Sequence, residues 1–153
     1  MSLQTDIIFV KALRSNADLI AQLPAGDVYN TAIALPDEEA DNAEVPYIIV
    51  SYDGLNNQDS TKDSSYDGLT DMVTVGIEIA AKTRPQLAEL AIMVRDTIRD
   101  YFRQHVASQD DEDYQLIPNS YQLQAQQVQY DSLKPCYWQQ LAYQCDTDPD
   151  NYG

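Results

Sequence analysis

The chain carries one histidine, His105, and two cysteines, Cys136 and Cys145, as its candidates for nucleophilic or base chemistry. A nucleophile needs a base within reach. No serine stands in the Gly-x-Ser-x-Gly elbow pattern, and neither cysteine has a histidine near it in sequence. His105 falls in the last turn of a long expected helix, where a cation suits the helix dipole. Acidic pairs are plentiful but cluster in loop sequences, and two carboxylates do acid–base work only in an enclosure that drives their pKa values apart. Asp59, Asp63 and Asp67 offer oxygens for calcium, yet they lack the alternate spacing, central glycine and closing glutamate of an EF-hand loop. The Asp53-Gly54 and Asp67-Gly68 steps lack the lysine and following helix of a phosphate loop. The expectation is a protein with no catalytic residues, no cofactor and no metal.

The elements expected around these residues follow from periodicity. Residues 2–23 read as a kinked or broken helical pair. Ser2 or Thr5 caps the start, Ile7, Val10 and Leu13 share a face, and Ser15-Asn16-Ala17-Asp18 makes a second start before Leu19, Ile20 and Leu23. Pro24 and Gly26 end it. Strands are expected at Val28–Leu35 and Tyr47–Tyr52, separated by an acidic loop over 36–46. A long polar loop then covers 53–68, flanked by the repeats Ser51-Tyr52-Asp53-Gly54-Leu55 and Ser65-Tyr66-Asp67-Gly68-Leu69, each with an Asp-Gly turn signal. Such a loop, with Asp53, Asp59, Lys62, Asp63 and Asp67, is a candidate mobile docking loop.

Over Met72–Ala81 the residues Val73, Val75, Ile77, Ile79 and Ala81 alternate with Met72, Thr74, Gly76, Glu78 and Ala80, as in a strand with one face in the core. A helix over 84–106 begins with Thr83 and Gln86 placed as a capping box. It carries Leu87, Leu90, Ala91, Val94, Ile98, Tyr101 and Phe102 on one stripe. Strands over Tyr121–Tyr130 and Pro135–Cys145 close the fold, and a loose acidic tail follows over 146–153. Cys136 and Cys145 then lie on one strand, roughly 30 Å apart and on opposite faces, so a bridge within it is excluded. The fold class expected is α+β: one domain over 1–145, with a mostly antiparallel sheet and both the N-terminal helix and the long amphipathic helix packed on one face.

With 25 acidic residues against 9 basic ones, the net charge is −16. This field repels nucleic acid and anionic membranes. No apolar run approaches the ~18 residues of a membrane span, and the first ten residues lack the basic start of a signal peptide. A third of the basic residues form one row, Arg95, Arg99 and Arg103, with Asp96 and Asp100 beside them. The row is either a solvated face laced with weak ion pairs or, with Ile92 nearby, a surface that meets an acidic neighbour. The glutamine-rich stretch with Gln122, Gln124, Gln126, Gln127 and Gln129 has the polarity of an edge strand or of one that pairs across a subunit contact. Tyr137, Trp138 and Tyr143 suit either an interface or a core. The candidate interface is therefore Ile92, Arg95, Arg99, Arg103, Gln124 and Gln126.

Several stretches stand in a telling order. Asn16-Ala17-Asp18-Leu19-Ile20-Ala21-Gln22-Leu23 ends the helical start, then come Val28-Tyr29, the strand start Pro46-Tyr47-Ile48-Ile49-Val50, and the strand Val73-Thr74-Val75. A helix with Leu87, Ala91, Val94 and Ile98 on its core side follows, and then a closing strand pair. Over residues 7–145 this order resembles the small tail-completion, or head-to-tail joining, proteins of long-tailed phages and prophages. The resemblance implies a homo-oligomeric ring, commonly of six subunits, that caps the tail tube. It implies the tail-tube protein and head connector proteins as partners, and a life in the bacterial host cytoplasm during assembly and then in the virion tail. The residues alone leave open a small acidic bacterial adaptor of the same fold class.

Overall fold

A computed structural model of the chain describes residues 4–30, 44–57 and 71–148. In chain order the elements are α1 (Thr5–Arg14), α2 (Ala17–Ala21), β1 (Tyr29–Asn30), β2 (Tyr47–Asn57), β3 (Asp71–Ala81), α3 (Arg84–Val106), a 3-10 turn (Tyr114–Leu116), β4 (Ser120–Ala125), β5 (Gln129–Asp131) and β6 (Cys136–Thr147). The alternation in β3 decides the architecture. Val73, Val75, Ile77, Ile79 and Ala81 are all fully buried. Antiparallel register sets Ile48 and Val50 of β2 opposite Ile79 and Ile77, and Leu141, Tyr143 and Cys145 of β6 opposite Ile77, Val75 and Val73. Side chains opposite one another share a face, so three strands present one apolar floor. The sheet runs β1-β2-β3-β6-β4, with β5 also on β6, and among the described residues only β1 pairs in parallel. The fold is the α+β class expected, with a mostly antiparallel sheet.

Both long helices pack on that floor, α1 over β2 and β3, and α3 over β3 and β6. In α3 the residues Leu87, Leu90, Val94, Ile98 and Phe102 are buried, with Ala91 and Tyr101 half-buried against them. Thr83 caps the helix by accepting from the Gln86 N–H, and Gln86 Oε1 reaches back to the Lys82 N–H at 2.9 Å. The helical start is broken as expected. Asn16 is the second cap: its Oδ1 accepts from Asp18 and Leu19, and its Nδ2 donates to Thr97 Oγ1 at 2.8 Å, fastening the break to α3. The first cap differs. Gln4 stands at that position without a side-chain cap, and Thr5 is a buried first-turn residue. The buried face of α1 is Ile8, Phe9, Ala12 and Leu13 with Val10, whereas Ile7 is 39% exposed.

Two expected loops and strands are corrected. Asp53-Gly54 makes no turn. It is a bulge within β2, which runs on to Asn57, and Gly54 takes the positive φ of +150° that a Cβ would oppose. Asp53 accepts from Ser51 Oγ and overhangs Gly76, where a Cβ would collide with Asp53, Gln140 and Ser51. The strand expected over 121–130 is two: after Ala125 the chain bulges at 126–128, where Gln126 N–H bonds the Gln140 carbonyl and Gln139 Nε2 bonds the Gln126 carbonyl, before β5 resumes on β6. β6 itself continues past Cys145 to a buried Thr147, so the strand takes two residues from the expected tail. Residues 31–43, 58–70 and 149–153, with most of both expected loops, lie outside the described residues. Among the described residues no helix is long and apolar enough to cross a membrane.

Four aromatic rings join the layers. Phe9 of α1 meets Phe102 of α3 at 5.2 Å and Tyr143 of β6 at 5.0 Å, while Tyr121 of β4 meets Phe102 at 5.7 Å and Tyr143 at 5.5 Å. The Tyr143 side chain is thus core, Tyr137 packs against the core, and Trp138 lies half-buried on the helix-free face. The Tyr143 hydroxyl is buried with no hydrogen-bond partner among the described residues. A polar atom buried unpaired costs stability. Tyr143→Phe is therefore expected to leave urea stability unchanged or raise it by up to about 1–2 kcal/mol, whereas Phe102→Ala loses about 3–5 kcal/mol. Burial pushes the Cys145 thiol up to about 12 and raises that of Cys136. Neither thiol is expected to react with a disulfide reagent at neutral pH until the chain is unfolded, when both do.

Candidate interaction surface

The arginine row stands on the outer face of α3. Arg95 Nε and Arg99 Nη1 both reach Asp96 Oδ1 at 3.3 Å, and Arg99 Nε reaches Asp100 Oδ1 at 3.1 Å. These exposed pairs lock geometry more than they stabilise. Two of the three arginines thus form the weak ion-pair lace expected, and Arg103 is a cation without an ion pair among the described residues.

The two flanks of α3 differ in lining, with Arg99 of one paired to Asp96 and Asp100 of the other. Toward β4, a groove of about 350 Å³ is lined by Arg99, Phe102, Arg103, Val106, Ile117 and Tyr121. Its floor is apolar and unusually open to water, with Val106 47% and Tyr121 37% exposed. Toward α2, a groove of about 480 Å³ is lined by Asp18, Ile92, Met93, Asp96 and Asp100 with Asn16. Ile92, 50% exposed, belongs to this acidic side. The expected single patch is therefore divided, with Ile92 on one flank and Arg99 and Arg103 on the other. Gln124 leaves the patch altogether. It is opposite Ala142, on the sheet face away from the helices. Gln126 sits in the bulge, its backbone committed to Gln139 and Gln140. Asp53 belongs to the β2 bulge, and Asp59, Lys62, Asp63 and Asp67 lie outside the described residues.

Sequence reasoning missed the apolar floor of the basic groove. Val106 closes α3 off its core stripe, and Tyr121 reads as one more strand residue. Only the packing of 117–121 against the helix end brings them beside the arginines.

A second cluster is structural. His105, Asp111 and Asp113 bring ligand atoms within 4.8 Å of one another. All are already engaged. His105 Nδ1 meets Asp111 Oδ2 at 2.8 Å, the Asp113 N–H donates to Asp111 Oδ1, Tyr101 donates to Asp113 Oδ2 at 2.6 Å, and Lys11 Nζ donates to Asp113 Oδ1 at 2.9 Å. The lysine ammonium occupies the place where a cation would be neutralised, so the group does not fit a metal ion. It staples the acidic 107–113 segment to α1 and α3.

The staple should show in acid. Hydrogen bonds from Tyr101 and then Lys11 hold the Asp113 carboxyl below its ordinary 3.8, and the Asp113 N–H followed by His105 does the same for Asp111. Depressed carboxylates stabilise the fold above their unfolded value and lose that contribution as pH falls through the folded one. Asp113→Asn is expected to lower Tm at pH 7, with the gap from the parent closing as pH drops below about 4. A gap that stays constant across that range would refute the staple.

Neither protein-family models nor curated proteins give a match to this chain.

Proposed function

We propose that the chain is a structural assembly protein of a long-tailed phage or prophage, one subunit of a ring that closes the tail tube at the head-to-tail junction. The observation that carries this reading is the pair of unlike exposed flanks on α3, basic with an apolar floor on one side and acidic on the other. Two unlike patches on one subunit suit a heterologous contact, which closes into a ring when the rotation allows. The order of helix, strands, helix and strands over 7–145 supports the resemblance that motivates it. The edge position of β4, paired among the described residues only with β6, supplies a second surface on which another chain's strand can be received. The work is mechanical: the ring ends tube growth and offers the head connector a surface, by shape and charge.

The test is mass in solution. Light scattering after gel filtration, over a concentration series and with negative-stain images, is expected to find a closed species of about six chains. A strict monomer at every concentration favours the adaptor instead.

A further inference from the structure

We infer that the basic groove is the socket for the Ile92 ridge of a second copy of this chain. The inference rests on the self-assembly proposed above and names its contact. The socket has two guanidiniums, Arg99 and Arg103, at the rim of a floor made by Phe102, Val106, Ile117 and Tyr121. Its occupant must offer an apolar group ringed by carboxylates. That description fits the other flank of the same helix. Ile92 is half exposed, with exposed Glu89 three residues before it on the same helical face, while Asp96, four residues after it, is shared with Arg95 and Arg99 of the same helix. Asp18 and Asp100 line the groove beside it.

Charge makes the choice of occupant specific. In a chain of net charge −16, most of the surface of a second copy repels the first. The socket is a place where that sign reverses beside an apolar floor, and Arg103 is without a carboxylate of its own among the described residues. The ridge supplies the carboxylate and the isoleucine together. Apolar burial under a charged rim is the anatomy of a specific contact, with the buried group carrying affinity and the charges carrying selectivity. Socket and ridge are different patches, so each copy has one of each, and chains add head to tail.

The experiment uses three variants of the chain. The double substitution Arg99→Glu with Arg103→Glu spoils the socket and keeps the ridge. Ile92→Lys spoils the ridge and keeps the socket. Val106→Lys serves as a second socket variant, away from the Asp96 and Asp100 ion pairs, and circular dichroism checks the fold of each. By light scattering and sedimentation, each variant alone is expected to associate about tenfold or more weakly than the parent. An equimolar mixture of a socket variant with the ridge variant is expected to form a one-to-one pair and nothing larger, because one intact socket then meets one intact ridge. Variants that assemble like the parent, or a mixture that stays monomeric, overturn the inference while leaving a parent ring intact. A parent that forms open chains through these patches supports the inference and overturns the closed ring. A parent that is monomeric throughout overturns both.

Discussion

The aromatic junction of Phe9, Phe102, Tyr121 and Tyr143 is the constraint on which the rest of the structure depends. It joins one helix from each half of the chain to β6 and to the edge strand β4. β4 has ladder partners on one side only, so its position is set by β6 and by what its inward side chains touch. Tyr121 supplies that touch. It lies opposite Cys145 on the core face and closes the ring of contacts back to α3 through Phe102. Edge-to-face rings of this kind add directional preference to simple burial. The same two side chains, Phe102 and Tyr121, floor the basic groove. The surface that carries the proposed contact is thus an outcrop of the core.

The Lys11, Tyr101 and Asp113 staple acts at the same end of α3 and complements that junction. A segment as acidic as 107–113 would be pushed outward by its own charge. Here two of its carboxylates are turned inward onto a lysine, a tyrosine and a histidine, leaving Asp110 and Glu112 to face solvent. The single histidine of the chain is spent on this task. The dipole argument for His105 was right about where it sits and incomplete about why, since the partner lies six residues on, across the loop.

How much of this was legible before folding depended on period and range. The bounds of α3 and its buried stripe follow from local signals, Thr83, Gln86 and the 3.6-residue repeat, and these agree with the structure. The core face of β3 follows from strict alternation. Legibility ended where local rules were outvoted. Asp-Gly at 53–54 has turn chemistry, yet strand pairing with β3 continues across it and absorbs the extra residue as a bulge. The glutamine-rich stretch reads as one strand because nothing in its composition marks the three residues opposite two that break it. The candidate interface was half legible. The arginine row could be counted from sequence, but a helical wheel places Ile92 near it without showing that α2 and β4 claim opposite flanks. Contacts such as Lys11 with Asp113 join residues 102 apart and leave no periodic trace.

The charge of the chain bears on the proposed assembly in two opposing ways. Net charges of −16 repel one another over about a Debye length, roughly 8 Å at physiological ionic strength. That repulsion acts during approach and discourages indiscriminate association. At contact the balance is local. Arg99 and Arg103 facing carboxylates lie well inside the Debye length, where screening is weakest, and burial of Ile92 on an apolar floor is indifferent to salt. On the proposed contact, a strongly acidic body with a basic, apolar socket separates two tasks that a neutral surface would merge. In the proposed contact the bulk field opposes indiscriminate association and the socket selects one orientation. The acidic composition need not be read as the signature of a basic partner; it supplies the background against which two arginines become specific.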